Sequence, residues 1–207
     1  MIIKCFPVGH LETNCYIVTD EETKLAAAVD PGDESNVILD YLEENRITLK
    51  EILLTHGHYD HTGAVEALRE ETGARVWIHA SDMAEGPGES FRFYSPLGGI
   101  GTYAEGDEIP VGGLTFRVLE TPGHTKGGVC FAVDGEKAVF TGDTLFCESV
   151  GRTDLGGDIR ELMDSLFHKL YALDGYTVYP GHEESTTIEH EKQFNPMNAY
   201  RNHPWFS

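Results

Sequence analysis

Short apolar runs separated by turn residues dominate the first part of the chain and predict a β-rich start. Strands are expected at residues 2–6, 14–19 and 24–29. Residues 35–46 then place apolar side chains in adjacent pairs four positions apart, the pattern of a helix with one buried face. Residues 52–54 form a short apolar run that ends abruptly, which predicts a buried strand leading directly into a loop.

The remainder of the chain alternates apolar runs with amphipathic stretches, which is typical of an α/β arrangement. Further strands are predicted at residues 75–79, 114–120, 129–133, 138–141 and 178–179. Helices are predicted at residues 62–71, 158–170 and 187–194. Residues 109–113 and Asp134-Gly135 are predicted to be turns, and the second is expected to close a hairpin.

One long segment, residues 83–104, shows neither the periodicity of a helix nor the alternation of a strand. It is rich in glycine and holds three aromatic residues, Phe91, Phe93 and Tyr94, close together. Irregular segments of this length are uncommon inside a compact domain. The closely spaced aromatic side chains predict that part of the segment packs against the protein. No linker divides the chain, so residues 1–207 are expected to form a single domain.

The charge and the cysteine content of the chain restrict which partners it is expected to bind and in which cellular compartment it is expected to occur. The formal net charge is −20, with 15 lysines and arginines against 35 acids, so binding to phosphate backbones is disfavoured. No apolar run approaches the length of a bilayer span, and the first residues show no signal-peptide pattern. The four cysteines lie far apart and are predicted to be free thiols. We therefore expect a cytoplasmic protein that binds neither nucleic acid nor membranes.

The candidate chemistry begins in the loop after residues 52–54. Thr55-His56-Gly57-His58-Tyr59-Asp60-His61 holds three histidines and one aspartate. His56 and His58 are two apart, on one side of an extended chain, so both imidazoles can reach one ion. Asp60 and His61 fall where the chain turns into the next helix, and they point to a different side. Imidazole and carboxylate are ligands of zinc and other divalent metals, so this loop predicts ligands for two neighbouring ions.

Four other predicted strand ends carry an acid or a histidine in a turn rich in glycine. They are Asp30, His124, Asp143 and His182. Each of them alone is also explained by an ordinary surface turn. Together they indicate one rim of a sheet, which is where α/β folds place their sites.

The pattern His-x-His-x-Asp-His after a buried strand resembles the signature of the metallo-β-lactamase superfamily, whose remaining motifs are matched in order. The resemblance implies an α/β fold, an αββα sandwich of two mixed β-sheets flanked by helices. It implies a first metal held by His56, His58 and His124, a second held by Asp60, His61 and His182, and Asp143 as the bridge. Asp30 would orient the histidine loop through hydrogen bonds. Zinc is the favoured metal, with iron or manganese as alternatives.

Within that superfamily the chain most resembles the short glyoxalase II-like hydrolases. The matching segments are Gly142-Asp143-Thr144-Leu145-Phe146, Gly151-Arg152-Thr153-Asp154-Leu155 and Thr186-Thr187-Ile188-Glu189. The resemblance implies a hydrolase for small thioesters of the hydroxyacylglutathione type, acting through a hydroxide that bridges the two metals. Asp60 and Asp143 would be its catalytic residues. An aspartate at the bridging position argues against hydrolysis of β-lactams.

Arg152 is the candidate substrate-binding residue, because the matching position in glyoxalase II is a basic residue that contacts the glutathione part of the substrate. A structural arginine paired with Asp154 or Asp158 is an equally good interpretation. Full-length glyoxalase II enzymes also bind glutathione with a helical C-terminal extension, which this chain is expected to lack. Residues 83–104 would then have to form the other wall of the site.

The segment Gly151-Arg152-Thr153-Asp154 also resembles the persulfide dioxygenase branch, which gives an alternative function. That branch uses one iron, bound by His56, His58 or their neighbours together with His124 and Asp143. These ligand residues are common to both branches, so both interpretations stay open on the sequence alone. Metal stoichiometry separates them, since two ions per chain favour the hydrolase and one iron favours the dioxygenase.

Overall fold

Two six-stranded sheets, each built largely from one half of the chain, form the centre of the structure. The computed structural model describes residues 1–83, 99–201 and 203. The first sheet contains, in spatial order, β1 (Ile2–Val8), β2 (Thr13–Thr19), β3 (Leu25–Val29), β4 (Thr48–Leu53), β5 (Arg75–Ile78) and β6 (Gly101–Thr102). Strands β1 to β3 are antiparallel, whereas β3 to β6 run parallel. The sheet is therefore mixed.

The second sheet is also mixed. Its strands are β7 (Glu108–Val111), β8 (Leu114–Glu120), β9 (Val129–Val133), β10 (Ala138–Gly142), β13 (Thr177–Pro180) and β14 (Thr186–Thr187), in the spatial order β14-β13-β10-β9-β8-β7. Only β10 and β13 are parallel to each other. A separate small hairpin consists of β11 (Leu145–Phe146) and β12 (Ser149–Val150).

The helices are short and pack outside the sheets. They are α1 (Ser35–Glu44), α2 (Tyr59–Thr62), α3 (Val65–Thr72), α4 (Ile159–Asp164) and α5 (Ile188–Phe194). Turns of 3-10 helix occupy Ala80–Asp82, Asp134–Glu136, Leu170–Ala172 and Pro196–Tyr200, and a π-helical segment occupies Ser165–Lys169. Among the described residues, no helix is both long and apolar enough to cross a bilayer.

The hydrophobic core confirms the predicted sandwich of two sheets between helices. One cluster lies between the sheets, where Val18 and Leu53 of the first sheet pack with Phe131 of the second. A second cluster joins the first sheet to α1 and α3, through side chains such as Ile38. A third joins the second sheet to α4 and the helical turns that follow it, through side chains such as Leu162. The order of layers is therefore helix, sheet, sheet, helix.

The helix predicted at residues 62–71 is interrupted, and the interruption has a steric reason. Helices α2 and α3 are separated at Gly63 and Ala64. The Ala64 amide donates a hydrogen bond to the Pro31 carbonyl at 3.0 Å, and a Cβ atom at Gly63 would lie only 2.3 Å from the Gly32 oxygen. The break therefore lets the turn after β3 pack directly against the histidine loop.

The prediction of a turn at residues 109–113 is wrong for most of its length. Strand β7 runs through Val111, and only Gly112 and Gly113 form the turn to β8. Pro110 suggested a turn, but β7 is an edge strand, where a residue without an N–H group is tolerated. The hairpin predicted at Asp134-Gly135 is confirmed, since the 3-10 turn there joins β9 to β10.

Part of the irregular segment 83–104 is ordered by contact with the core. Gly101 and Thr102 form β6, and the hydroxyl of buried Tyr103 donates a hydrogen bond to the Leu54 carbonyl. Phe91, Phe93 and Tyr94 lie outside the described residues. The expectation that they pack against the protein therefore remains a prediction.

Candidate metal centre

The strand ends that carry the predicted ligands meet at one edge of the two sheets. The histidine loop follows β4, His124 follows β8, Asp143 follows β10 and His182 follows β13. The structure brings all seven predicted ligands together there, as three histidines in one group, two histidines with Asp60 in another, and Asp143 between them. The first sheet thus supplies four of the seven ligands and the second sheet supplies three.

The first group consists of His56, His58 and His124. One nitrogen atom from each lies within 4.8 Å of the others, and Nδ1 of His58 is 3.0 Å from Nε2 of His124. Burial, reinforced by the neighbouring His124, lowers the pKa of His58 to about 4. Burial likewise lowers the pKa of His56. Both imidazoles are therefore neutral at pH 7 and offer a lone pair to a cation.

The second group consists of Asp60, His61 and His182. Oδ2 of Asp60 lies 3.5 Å from Nε2 of His61 and 3.5 Å from Nε2 of His182. Burial alone would raise the pKa of Asp60, but its contacts with His182 and His61 outweigh burial and lower it. The carboxylate is therefore ionised at neutral pH, and it adds a negatively charged oxygen ligand to two imidazoles.

Asp143 lies between the two groups with one carboxylate oxygen towards each. Its Oδ2 atom is 3.4 Å from Nε2 of His124, while its Oδ1 atom is 3.3 Å from Nε2 of His61 and 3.7 Å from Nε2 of His182. Burial would raise the pKa of Asp143, but the charge of His61 outweighs it and the pKa is lowered. The two oxygen atoms of one ionised carboxylate thus serve both groups.

Several buried polar atoms at this edge have no hydrogen-bond partner in the part of the chain that the structure describes and could instead bind metal ions. Nε2 of His56, Nε2 of His61 and Oδ1 of Asp143 are all buried without a hydrogen-bond partner among the described residues. Buried polar atoms without a partner cost about 1–3 kcal/mol each, so native structures rarely keep several of them together. Imidazole nitrogen and carboxylate oxygen are ligands of zinc, iron and manganese. The donor set therefore fits divalent cations.

Asp30 makes the contacts expected of the residue that orients the histidine loop. Its Oδ1 atom accepts the Thr55 amide at 2.7 Å, and its Oδ2 atom accepts the Thr55 hydroxyl at 2.6 Å. Oδ2 also lies 3.0 Å from Nδ1 of His61. Because Nδ1 is engaged on the Asp30 side, Nε2 of His61 is left for the metal side.

Two further histidines are oriented by backbone carbonyl groups. Nδ1 of His124 donates to the Arg152 carbonyl at 2.6 Å, and Nδ1 of His182 donates to the Leu11 carbonyl at 3.1 Å. Asn14 holds the His182 loop in addition, because its amide group donates to the carbonyls on either side, those of Pro180 and Glu183. In both histidines Nε2 remains for the centre, the arrangement found at many metal-binding histidines.

A family model described as the metallo-β-lactamase superfamily matches residues 8–182. The chain belongs to the metallo-β-lactamase superfamily. The match extends from the end of β1 to His182, so it includes all seven predicted ligands and the orienting Asp30. The superfamily prediction made from the sequence is confirmed.

Relatives and solved structures match this chain over nearly its whole length. An uncharacterized protein of Mycobacterium leprae is 39% identical over 221 residues, covering 95% of this chain and 98% of that protein. Hydroxyacylglutathione hydrolase GloC of Haemophilus influenzae is 37% identical over 208 residues, covering 95% of this chain and 98% of the relative.

Three solved structures are similar at 34% sequence identity. The BLEG-1 B3 metallo-β-lactamase has a TM-score of 0.88 and covers 95% of this chain and 99% of its own. ETHE1 from Myxococcus xanthus has a TM-score of 0.86, and the match covers 100% of this chain and 88% of the ETHE1 chain. TTHA1623 in a di-iron-bound form has a TM-score of 0.81, and the match covers 94% of this chain and 99% of the TTHA1623 chain.

Arg152 contacts the metal centre through its carbonyl group, whereas its guanidinium binds a neighbouring acid. Its carbonyl accepts the hydrogen bond from His124, as described above. Its guanidinium is 61% exposed and forms two hydrogen bonds of 2.6 Å with Asp154, one of the two acids predicted as structural partners. This contact lowers the pKa of Asp154 to about 2. The predicted contact between the guanidinium and substrate remains a prediction.

A further group of ligand-type residues consists of Cys147, His190 and Glu191. The carboxylate of Glu191 is fully buried and accepts hydrogen bonds from the Thr186 hydroxyl, the Glu148 amide and the Asn195 side chain. These three donors fill most of its acceptor positions. We therefore interpret Glu191 as the residue that fastens the β11–β12 hairpin to α5.

Proposed function

We propose that this protein is a thioester hydrolase that uses two divalent metal ions, with zinc as the favoured metal. One ion would be held by His56, His58 and His124, and the other by Asp60, His61 and His182. The observation that carries the proposal is the position of Asp143, whose two oxygen atoms face the two groups separately. A single carboxylate shared in this way suits a pair of ions a few ångströms apart.

The similarity to hydroxyacylglutathione hydrolase GloC supports a thioester as the substrate. A hydroxyacylglutathione carries its acyl group on sulfur, and the alignment with that relative leaves only a small part of either chain unmatched. A thiol has a pKa near 8.5, so a thiolate leaves readily without prior protonation. The proposed reaction therefore needs no separate general acid.

The side chains of the site supply orientation and a proton acceptor. Bound metal ions of this kind activate a water molecule at neutral pH and polarise a carbonyl oxygen. Asp60 is our candidate for the group that accepts the proton of the attacking water, because it is ionised and reached by solvent. The Thr13 hydroxyl donates to Oδ2 of Asp60 at 3.1 Å and fixes the direction in which the carboxylate points. Asp143 keeps the two metal-binding groups at a constant separation.

The alternative is an iron-dependent persulfide dioxygenase. It is supported by the segment Gly151-Arg152-Thr153-Asp154 and by the structural similarity to ETHE1. This reaction would need only one metal ion, bound by the first group together with Asp143, whereas the second group of ligands and the Asp143 oxygen atom that faces it would have no role. We therefore favour the hydrolase.

The proposal predicts thioester cleavage without oxygen consumption. S-lactoylglutathione and an S-acyl-N-acetylcysteamine should release free thiol, measured with a chromogenic thiol reagent while an oxygen electrode shows no uptake. Removal of metal with a chelator should abolish the reaction, and added zinc should restore it. Oxygen uptake with glutathione persulfide and no thioester turnover would instead support the dioxygenase. Preferential turnover of a chromogenic β-lactam would contradict both functions.

Arg152 and Asp154 provide a test of how the site recognises its substrate. If the exposed guanidinium contacts an anionic thiol carrier, Arg152→Gln should raise KM for S-lactoylglutathione about tenfold, the effect of losing roughly 1.4 kcal/mol of binding. KM for the neutral N-acetylcysteamine thioester should change less than about twofold. Asp154→Asn is the matched control, since it leaves the guanidinium charged and without its carboxylate. A similar change for both substrates, or a loss of thermal stability alone, would assign Arg152 a structural role.

A further inference from the structure

Asp82 is a buried acid that neither the metal groups nor the orienting contacts described above include. It ends the 3-10 turn Ala80–Asp82 that follows β5, and no part of it is exposed to solvent. Its Oδ2 atom accepts the Gly57 amide at 3.0 Å, and its Oδ1 atom accepts the Gly127 amide at 2.6 Å. The side chain therefore binds two backbone segments that are 70 residues apart in the sequence.

Both segments carry ligands of the first metal-binding group. Gly57 separates His56 from His58 in the loop after β4, and Gly127 is three residues beyond His124 in the loop between β8 and β9. The first loop belongs to one sheet and the second loop belongs to the other. One carboxylate thus fastens together the two loops that must meet for these three imidazoles to surround one ion.

The surroundings of Asp82 show that this contact is specific. A Cβ atom at Gly127 would lie 2.7 Å from Oδ1 of Asp82 and 2.7 Å from Nδ1 of His79, so only glycine lets its amide come this close. Burial raises the pKa of Asp82, and the neighbouring Thr125 side chain together with the hydrogen bonds from both glycine amides acts against that rise. A buried carboxyl group is costly unless its hydrogen bonds are satisfied, and here each of its oxygen atoms accepts a backbone amide of a ligand loop.

The second metal-binding group has its own set of contacts. Asp30 orients His61, the Thr13 hydroxyl holds Asp60, and the Leu11 carbonyl orients His182. None of these three contacts involves Asp82. Changes at Asp82 should therefore act on one group of ligands and spare the other.

We propose that Asp82 is a positioning residue for the first metal ion, because it sets the distance between the His56-His58 loop and the His124 loop. The inference rests on the metal centre of the proposed function but is independent of the substrate. Replacing Asp82 with asparagine leaves one oxygen acceptor and turns an amide NH₂ group towards the other backbone amide. Outer partners of metal ligands typically contribute 10- to 100-fold in metal affinity. Asp82→Asn should therefore weaken one zinc site by that factor.

Asp20→Asn is the matched control. Asp20 is also a largely buried acid that joins two turns, since its Oδ2 atom accepts the Gly113 amide at 2.9 Å and the Thr23 hydroxyl at 2.5 Å. It follows the last residue of β2, whereas Thr13 at the other end of β2 contacts the centre. A seven-residue strand spans about 20 Å, so Asp20 is far from the metal ligands. This variant reports the effect of losing a buried carboxylate on stability alone.

The test is a zinc titration of the metal-free proteins in competition with a chromophoric chelator, together with ¹¹³Cd NMR of the cadmium-loaded proteins. The wild-type protein should bind two ions tightly and show two cadmium resonances. Asp82→Asn should keep one tight site, and the resonance it retains should be the one that His182→Ala loses. Asp20→Asn should keep both sites whatever its melting temperature. Gly127→Ala, which pushes on the same carboxylate, should reproduce the pattern if Asp82→Asn fails to fold.

Two outcomes would overturn the inference. One is wild-type affinity at both sites in Asp82→Asn and in Gly127→Ala. The other is an equal loss at both sites, matched by Asp20→Asn at a similar loss of melting temperature, since that would be general destabilisation. A wild-type protein that binds fewer than two ions would be a different result, because it would contradict the proposed dinuclear centre rather than the role of Asp82.

Discussion

Replacing Asp143 with alanine is expected to release both metal ions and to reduce thioester hydrolysis by about 10³-fold or more. Its two oxygen atoms serve both groups of ligands, so the substitution removes a ligand from each ion at once. It also leaves the imidazoles of the two groups without the carboxylate between them. Metal ions contribute several kcal/mol to such reactions, and each 1.36 kcal/mol is a factor of ten in rate.

The measurement is metal content by mass spectrometry after dialysis, combined with the thiol-release assay. Asp143→Asn serves as a variant of nearly the same shape and should show the same loss, because one negatively charged oxygen is replaced by an amide group. Asp174→Ala is the control for removal of an aspartate, since that side chain is 83% exposed and pairs with Lys192 on the surface. Two tightly bound ions and near-normal activity in Asp143→Ala would rule out the shared carboxylate.

Gly181→Ala is expected to damage the centre although no functional group is removed. A Cβ atom at this position would lie 2.5 Å from Oδ1 of Asp143 and 2.8 Å from Cε1 of His61. The backbone there is held on both sides, since the Gly181 amide donates to Gly142 at 2.8 Å and its carbonyl accepts from Asn14 at 2.7 Å. The added methyl group must therefore displace the ligand side chains. Overpacking of this kind costs about 1–3 kcal/mol.

That cost corresponds to roughly a 5- to 150-fold loss of zinc affinity at the site that contains His61, with a comparable loss of activity. The chelator-competition titration measures the affinity directly. Gly135→Ala is the matched control, because a Cβ atom there would meet nothing within 4 Å. Unchanged zinc affinity in Gly181→Ala would show that the centre tolerates the displacement, and that contact with Gly181 does not fix the positions of Asp143 and His61.

The ligand residues were predictable from the sequence because they follow a local rule. His56, His58, Asp60 and His61 occupy one short loop, and the others occur in turns directly after apolar strands. Strand ends of this kind meet at a sheet edge, so the pattern alone indicates that distant residues come together. The alternation of strands and helices indicated an α/β arrangement, whereas the two sheets with their outer helices were implied by the resemblance to the superfamily.

Apart from Asp30, the residues that hold the ligands in place were not predictable, because their contacts are non-local or do not depend on side-chain type. Leu11 and Arg152 orient histidines through their carbonyl groups, which every residue has. Thr13 and Asn14 reach the centre from β2 in the first sheet, and Asp82 reaches it from a turn with no ligand-like spacing. Sequence patterns indicate which residues can bind a metal. The packing of the two sheets decides which residues support them.

Metal analysis of the protein purified without added metal, together with the activity of the same preparation, tests the central claim most directly. The account predicts two divalent ions per chain, of which His182→Ala loses one, and a preparation that cleaves S-lactoylglutathione without oxygen uptake. One iron per chain, unchanged by His182→Ala, in a preparation that consumes oxygen with glutathione persulfide would contradict it.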